Sequence, residues 1–362
     1  MIMTDLTWIA VDAMGGDNAP AAIVEGSVAA LESSKDIGIF LVGKADAVTS
    51  ELKKYKYDER RLTVVPANDV IAMSEPPVAA IRHKKDSSIV VGMKLVREGK
   101  ARAFVSAGST GAILVGGQLI VGRIRGIERT PIGAIIPTDD GVCLIVDSGA
   151  NVDSRCTHLV QFARMGSIYM KYAVGIEAPR VALVNIGAEA EKGNSLTKET
   201  YPLLEAMDDI NFIGNIEARE IPEGKADVIV CDAFAGNIIL KLYEGLAGVL
   251  LGRIKKGLMS STRSKIGALL IKPALKKTLK DMDASQYGGA PLLGLKGLVV
   301  KTHGSAKAGD IRNSVLQCLT FESHDIAGKI EADLKSEKAG QIRSDINGVR
   351  KDTEDNSPDV GH

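Results

Sequence analysis

Aromatic residues are scarce in this chain of 362 residues, where Phe, Tyr and Trp together make up 4%. That leaves no stock of stacking side chains for a single-stranded nucleic-acid platform. Neither sign of charge is in excess, since 45 basic side chains balance 45 acidic ones. A general nucleic-acid partner is therefore not expected, although a zero sum hides local asymmetry. The four cysteines (Cys143, Cys156, Cys231 and Cys318) lie far apart and form no CxxC pair. No zinc cluster is expected, and thiols kept in a reducing cytosol are the simple reading. No basic leader followed by an apolar run opens the chain, so no signal peptide is expected. No stretch is read as long and apolar enough to span a bilayer. The P-loop pattern and a G-x-G-x-x-G turn after a strand are both missing, which weakens ATP hydrolysis and NAD binding. No G-x-S-x-G elbow occurs, and the five histidines do not cluster beside a nucleophile.

What is present is an alternation. Apolar runs at 9–11, 37–43, 62–67, 101–108, 142–151, 181–187, 210–216, 227–237 and 297–304 read as strands. Near-continuous apolarity fits strands buried on both faces of a mostly parallel sheet. Helical patterns fall at 19–34, 45–55, 76–99, 110–124, 155–174, 196–208, 237–256 and 306–335. Strand–helix alternation predicts an α/β layer fold around one twisted sheet. Residues 1–335 read as a single domain, and 336–362 as a disordered polar tail.

Many of these strands end in small polar or glycine-rich loops: DAMGGDN, SAGSTGA, DSGAN, NIGAEAEKGN, DAFAGN and THGSAK. In open α/β sheets, ligands bind at the carboxyl ends of strands. Glycine there costs conformational entropy unless the backbone needs it. Six such loops on one rim therefore point to a ligand. In the first, Gly15 and Gly16 make a turn, and Asp17 or Asn18 is placed to cap a helix with Pro20 in its first turn. Free N–H groups at such a helix start suit an anion, while a plain tight turn remains open for that segment alone. Ser109 and Thr110 either cap the next helix or hold a phosphate, and the two roles are compatible. Asp147 and Asn151 are a thin ligand set for Mg2+ and read as hydrogen-bonding groups. Lys192 is a cation for a phosphate or a solvated loop lysine. Asn237 either donates its amide N–H to a ligand oxygen or caps a helix. His303 stands at a strand end as a rim candidate. With no nucleophile–base pair in view, any chemistry here rests on positioning reactants and stabilising charge.

Residues 238–284 read as an amphipathic basic helical arm. From Gly245 to Lys280 there is no acidic residue and there are nine basic ones. Apolar residues recur at helical spacing on both sides of a loop tip at 257–262. Leu258, Met259, Arg263 and Lys265 at that tip are the expected contacts with an anionic membrane surface. Packing of the apolar face on a second subunit is the other reading, at a different part of the arm.

Taken together, VDAMGGDNAP, SAGSTGA, VGRIRGIERTP, DSGANVD, NIGAEAEKGN, FIGNIEARE, DAFAGNIILK, QYGGAPLLGLKG and THGSAKA resemble the PlsX family of phosphate acyltransferases, in the same order from about Ile9 to Ile330. The resemblance implies a three-layer α/β/α sandwich akin to phosphotransacetylases and the isocitrate dehydrogenase-like fold, with the arm projecting as a helical hairpin. It implies reversible transfer of a long-chain acyl group from acyl carrier protein to inorganic phosphate, yielding acyl phosphate for phospholipid synthesis. It also implies a homodimer in the cytoplasm, peripherally associated with the membrane, using no metal and no organic cofactor. Lys192 would bind phosphate, and Asn237 would orient it or donate to the oxyanion. Gly15, Gly16, Asp17, Asn18, Ser109, Thr110, Asn151, Asn194 and His303 would complete the substrate pocket. Asn18 stands where many family members carry His, and an amide does not exchange protons near neutral pH. Two competing readings are a short-chain phosphotransacetylase using coenzyme A and a non-catalytic membrane-binding scaffold.

Overall fold

The computed structural model describes residues 6–281 and 284–335, so the expected polar tail lies outside the described residues. The strands are β1 (Thr7–Asp12), β2 (Ile37–Gly43), β3 (Leu62–Pro66), β4 (Ala103–Ser106), β5 (Gly133–Thr138), β6 (Gly141–Val146), β7 (Arg180–Asn185), β8 (Asn211–Glu217), β9 (Val228–Val230), β10 (Ala290–Leu292) and β11 (Leu298–Lys301). The helices are α1 (Ala21–Ser33), α2 (Ala45–Leu52), α3 (Pro77–His83), α4 (Ser88–Arg97), α5 (Thr110–Gly116), α6 (Cys156–Tyr169), α7 (Ser195–Glu205), α8 (Ala233–Leu258), α9 (Thr262–Asp281), α10 (Ala308–Ser323) and α11 (Ile326–Lys335).

The expected single sheet is two sheets, in the orders β10-β11-β4-β1-β2-β3 and β5-β6-β9-β7-β8. Pairing is parallel throughout except between β10 and β11 and between β5 and β6. The two sheets touch through an isolated antiparallel bridge between Ile132 and Leu292. The strands at this junction, β5 and β10, are the two that the apolar-run reading misses. Pro137 and Pro291 interrupt them, and proline is confined to edge strands, which is where both lie in their sheets.

The strands inside the sheets, β1, β2, β4, β6, β7, β9 and β11, are largely buried on both faces, as their apolar runs require, whereas the edge strands β3 and β8 are partly exposed. Ile9, Val11, Leu144 and Val146 share one continuous core with residues of α1, α6 and α10. Ala10, Phe104 and Val299 face the other way, against α4 and α5. Cys143, Ile145 and Ile229 do so in the second sheet, against Leu240 and Tyr243 of α8. Helices thus cover both faces, and each fully buried Ile, Leu or Phe contributes about 1.5–3 kcal/mol to the core.

Two expected helices break where local chemistry intervenes. The helix expected over 76–99 divides because the Ser87 side chain accepts from Val90 N–H and caps a new start. The one expected over 306–335 divides at Asp325, whose φ is 46°. The strand expected over 227–237 ends at Val230, because the Asp232 side chain accepts from Ala235 N–H at 2.8 Å and starts α8 at Ala233. That early start gives α8 26 residues and makes it long and apolar enough, by length and composition, to cross a membrane, contrary to the sequence reading. Its root argues against a span. Ala233 and Gly236 are buried in the core, and Asn237, Leu240 and Lys241 line a cleft described below. Beyond that root, α8 and α9 form the projecting hairpin.

Candidate active site

Two aspartates fix the strand-end loops. Asp12 ends β1, fully buried. Ser106 Oγ donates to its carboxylate at 2.6 Å, and Met14 N–H donates at 3.1 Å. Asp147 follows β6, also fully buried. Its Oδ1 accepts from the N–H groups of Ile132, Gly149 and Ala150, and its Oδ2 from the backbone and side-chain amides of Asn151. Burial pushes both carboxyl groups above the usual carboxylate range, while the donors pull the other way. The Asp147 oxygens are fully committed to the turn, which makes this aspartate a scaffold for its loop. Asn151 belongs to the same network, its amide also donating to the Thr130 carbonyl at 3.0 Å.

The glycine turn after β1 is tied to the loop after β11. Asp17 N–H donates to Gly304 O at 2.8 Å, and the Asn18 amide donates to the carbonyls of Ser305 and Ala306, each at 3.1 Å. Asn18 thus serves as a clamp between two rim loops, a role that needs no proton exchange. Gly16 has φ +92°, and a Cβ there would stand 2.8 Å from Gly304 O, so no other residue fits. Helix α1 begins at Ala21 with Pro20 at its cap position and no side-chain cap, so Asp17 and Asn18 do not cap it.

The carboxyl ends of the two sheets converge on one cavity of about 430 Å³, within the roughly 300–1,000 Å³ common for small-molecule sites. The first sheet lines it with Thr110, Lys301, Thr302 and His303, and the second with Ile132, Ala134, Ser148 and Gly149. The root of α8 supplies Asn237, Leu240, Lys241 and Glu244, and Tyr287 closes one side. Gly236 lets α8 approach: a Cβ there would stand 2.0 Å from the Asp147 carbonyl oxygen. Asn237 sits in the second turn of α8, beyond the cap that Asp232 provides. Its carboxamide makes no hydrogen bond among the described residues, and its Oδ1 lies 3.9 Å from where a Cβ on Gly149 would be. His303 Nδ1 accepts from Ser305 N–H at 3.2 Å, which orients its ring at the rim.

Of the residues singled out from sequence, the cavity brings together Thr110, Asn237 and His303. Gly15, Gly16, Asp17 and Asn18 do not line it; Asp17 and Asn18 hold the carbonyls of Gly304, Ser305 and Ala306, in the loop that follows His303. Ser109 is buried and caps α5, accepting from Ala112 N–H. Asn194 caps α7, accepting from Thr197 N–H at 3.0 Å. Lys192 is exposed on the loop after β7 and does not line the cavity. That loop leaves the same sheet edge as Asn237's helix, because β7 and β9 run parallel. Sequence reasoning missed Lys301 and Thr302, although a lysine closing the apolar run LVV at a rim was a legible signal.

Solved structures sharing this architecture include the EutD phosphotransacetylase from Staphylococcus aureus, with a TM-score of 0.57 at 18% identity, covering 88% of this chain and 95% of that one. A phosphotransacetylase from Streptococcus pyogenes aligns with a TM-score of 0.56 at 17% identity, covering 88% and 94%. At such identities the likeness defines a class by fold alone: an α/β protein sharing the phosphotransacetylase architecture. The three-layer fold expected from the sequence is thereby borne out. Sequence similarity is more specific. Residues 7–329 match the family model described as fatty acid synthesis protein, and the chain belongs to that family. It is 48% identical over 326 residues to a phosphate acyltransferase from Clostridium perfringens (strain SM101 / Type A), covering 90% of this chain and 96% of that relative. A phosphate acyltransferase from Clostridium acetobutylicum is 47% identical over 327 residues, covering 90% and 98%.

Proposed function

We propose that this chain is a phosphate acyltransferase. It moves a long-chain fatty acyl group reversibly between acyl carrier protein and inorganic phosphate, and the acyl phosphate supplies phospholipid synthesis. The observation that carries this reading is the cleft itself, where an uncommitted carboxamide, a lysine and a hydroxyl meet between two sheet edges, in a chain whose relatives at 48% identity are named phosphate acyltransferases. Phosphate is already ionised near neutral pH and needs little activation. What the reaction needs is orientation beside the thioester carbonyl and donors for the oxyanion that forms. A phosphate oxygen attacks the carbonyl carbon, the carbonyl oxygen takes up charge, and the C–S bond then breaks to release the carrier thiolate, which is protonated. Asn237 donates to the phosphate or to that oxyanion. Lys192, exposed on a loop from the same sheet edge, would act on phosphate only if that loop closes over the cleft.

The arm gives the enzyme its location. Leu242, Leu246, Leu269 and Leu270 are each more than 60% exposed, a surface that monomeric soluble domains rarely leave bare. A second copy of the chain covers part of it, making a homodimer. The tip, with half-buried Leu258 and exposed Met259, Arg263 and Lys265, lies on the anionic cytoplasmic membrane, where each basic residue adds about 1 kcal/mol. The enzyme is thus cytoplasmic and peripherally membrane-bound. A short-chain, coenzyme-A-dependent enzyme has no use for such an arm, and a scaffold has no use for the cleft. The deciding assay incubates the protein with phosphate and either palmitoyl-carrier protein or acetyl-coenzyme A and follows thioester loss. Consumption of the palmitoyl donor supports the proposal, selective consumption of acetyl-coenzyme A favours the short-chain enzyme, and no consumption of either favours the scaffold.

A further inference from the structure

Lys301 closes β11 at the cleft, partly buried, with its ammonium donating to the Thr302 carbonyl. An ammonium has three donors, and among the described residues no carboxylate forms an ion pair with this one. Its neighbour Thr302 is 3% exposed, and the Thr302 hydroxyl has no hydrogen-bond partner at all among the described residues. Both residues line the same cavity as the uncommitted Asn237 amide. A buried hydroxyl without a partner and a partly buried lysine without a contact ion pair each cost free energy in the empty protein. One anion with several acceptor oxygens would satisfy both.

We infer that Lys301 and Thr302 form the seat of the phosphate ion, with the ammonium and the hydroxyl each donating to a different phosphate oxygen. This rests on the phosphate acyltransferase reading and deepens it, because it places the phosphate inside the cleft on the first sheet's edge. The pH behaviour of the lysine agrees. Burial pulls its ammonium down to about 8, while Asp12 and Asp17 oppose that fall. The other titratable groups around it are His303 on its own strand end and Lys241, Glu244 and Tyr287 across the cavity. The cation is therefore present below about pH 8 and lost above it, so phosphate binding weakens as pH rises through that value.

The test uses full-length protein and two substitutions, Lys301→Met and Thr302→Val, with initial rates measured against phosphate and against acyl donor separately. The KM for phosphate rises about tenfold or more in Lys301→Met and by a smaller factor in Thr302→Val, while the KM for the acyl donor stays within about twofold. Thr302→Val removes an unpartnered hydroxyl, so its melting temperature is unchanged or higher, which separates a binding defect from a folding defect. If Lys301→Met does not fold, the pH dependence of wild-type phosphate KM decides, with a rise above about pH 8 expected. Unchanged phosphate KM in the folded variants, or a flat wild-type pH profile, overturns the assignment while leaving the enzyme intact. A wild-type protein that consumes no thioester in the presence of phosphate overturns the broader reading instead.

Discussion

The cleft and the arm are made from the same apolar residue types, and they use them in opposite ways. In the strands that end at the cleft, Val11, Val146, Val230 and Val300 are 0–1% exposed, and their burial holds the loops that carry polar groups. In the arm, Leu250 is 56% and Ile266 58% exposed, and nothing among the described residues covers them. The first arrangement spends burial on rigidity, which a site for a small anion needs. The second leaves it available for another surface. Helix α8 belongs to both regions: its residues 237–244 line the cleft, and residues 245–257 stand in the open.

The comparison breaks most sharply at the cleft. Asn237→Ala lowers turnover by about 10²–10³ while circular dichroism and oligomeric state stay unchanged, the loss typical of a missing oxyanion or phosphate donor, and Lys192→Ala, on a loop outside the cavity, lowers it by a smaller factor. Wild-type rates in a folded variant would remove that residue from the mechanism. Gly236→Ala pushes a methyl group into the Asp147 carbonyl and costs about 1–3 kcal/mol of stability, read as a lower urea midpoint. An unchanged midpoint would mean that α8 is not pinned where the cleft requires it. Asn151→Ala leaves the Thr130 carbonyl and one Asp147 oxygen short of a donor, at about 1–3 kcal/mol. The arm behaves otherwise. Leu258→Glu changes the unfolding free energy by no more than about 0.5 kcal/mol, because this side chain belongs to none of the core clusters. It weakens binding to anionic vesicles while turnover in solution survives. Unchanged vesicle binding would return the tip to subunit packing.

How much was legible from sequence follows the same division. The buried parallel strands and their polar ends could be read because two-sided burial writes long apolar runs, as in IGIFLVG of β2. The arm could be read because a long acid-free, lysine-rich stretch at helical spacing does not fit inside a packed core. The junction strands β5 and β10 were hidden by Pro137 and Pro291, which local reading takes as breakers and only the edge position permits. The start of α8 was hidden because Asp232 caps it within what looks like a continuing strand. Thr302 was not legible at all, since the missing hydrogen bond of a buried hydroxyl exists only in three dimensions. Asn194 and Ser109 show the converse: their residue types suit ligands and caps equally, and the fold commits both to caps.

The most direct test is a structure of the protein crystallised in phosphate and free of other anions. A phosphate ion is expected in the cavity between the sheets, within hydrogen-bonding distance of Lys301 and Thr302. A phosphate bound only at exposed loops, with that cavity filled by water alone, would contradict it.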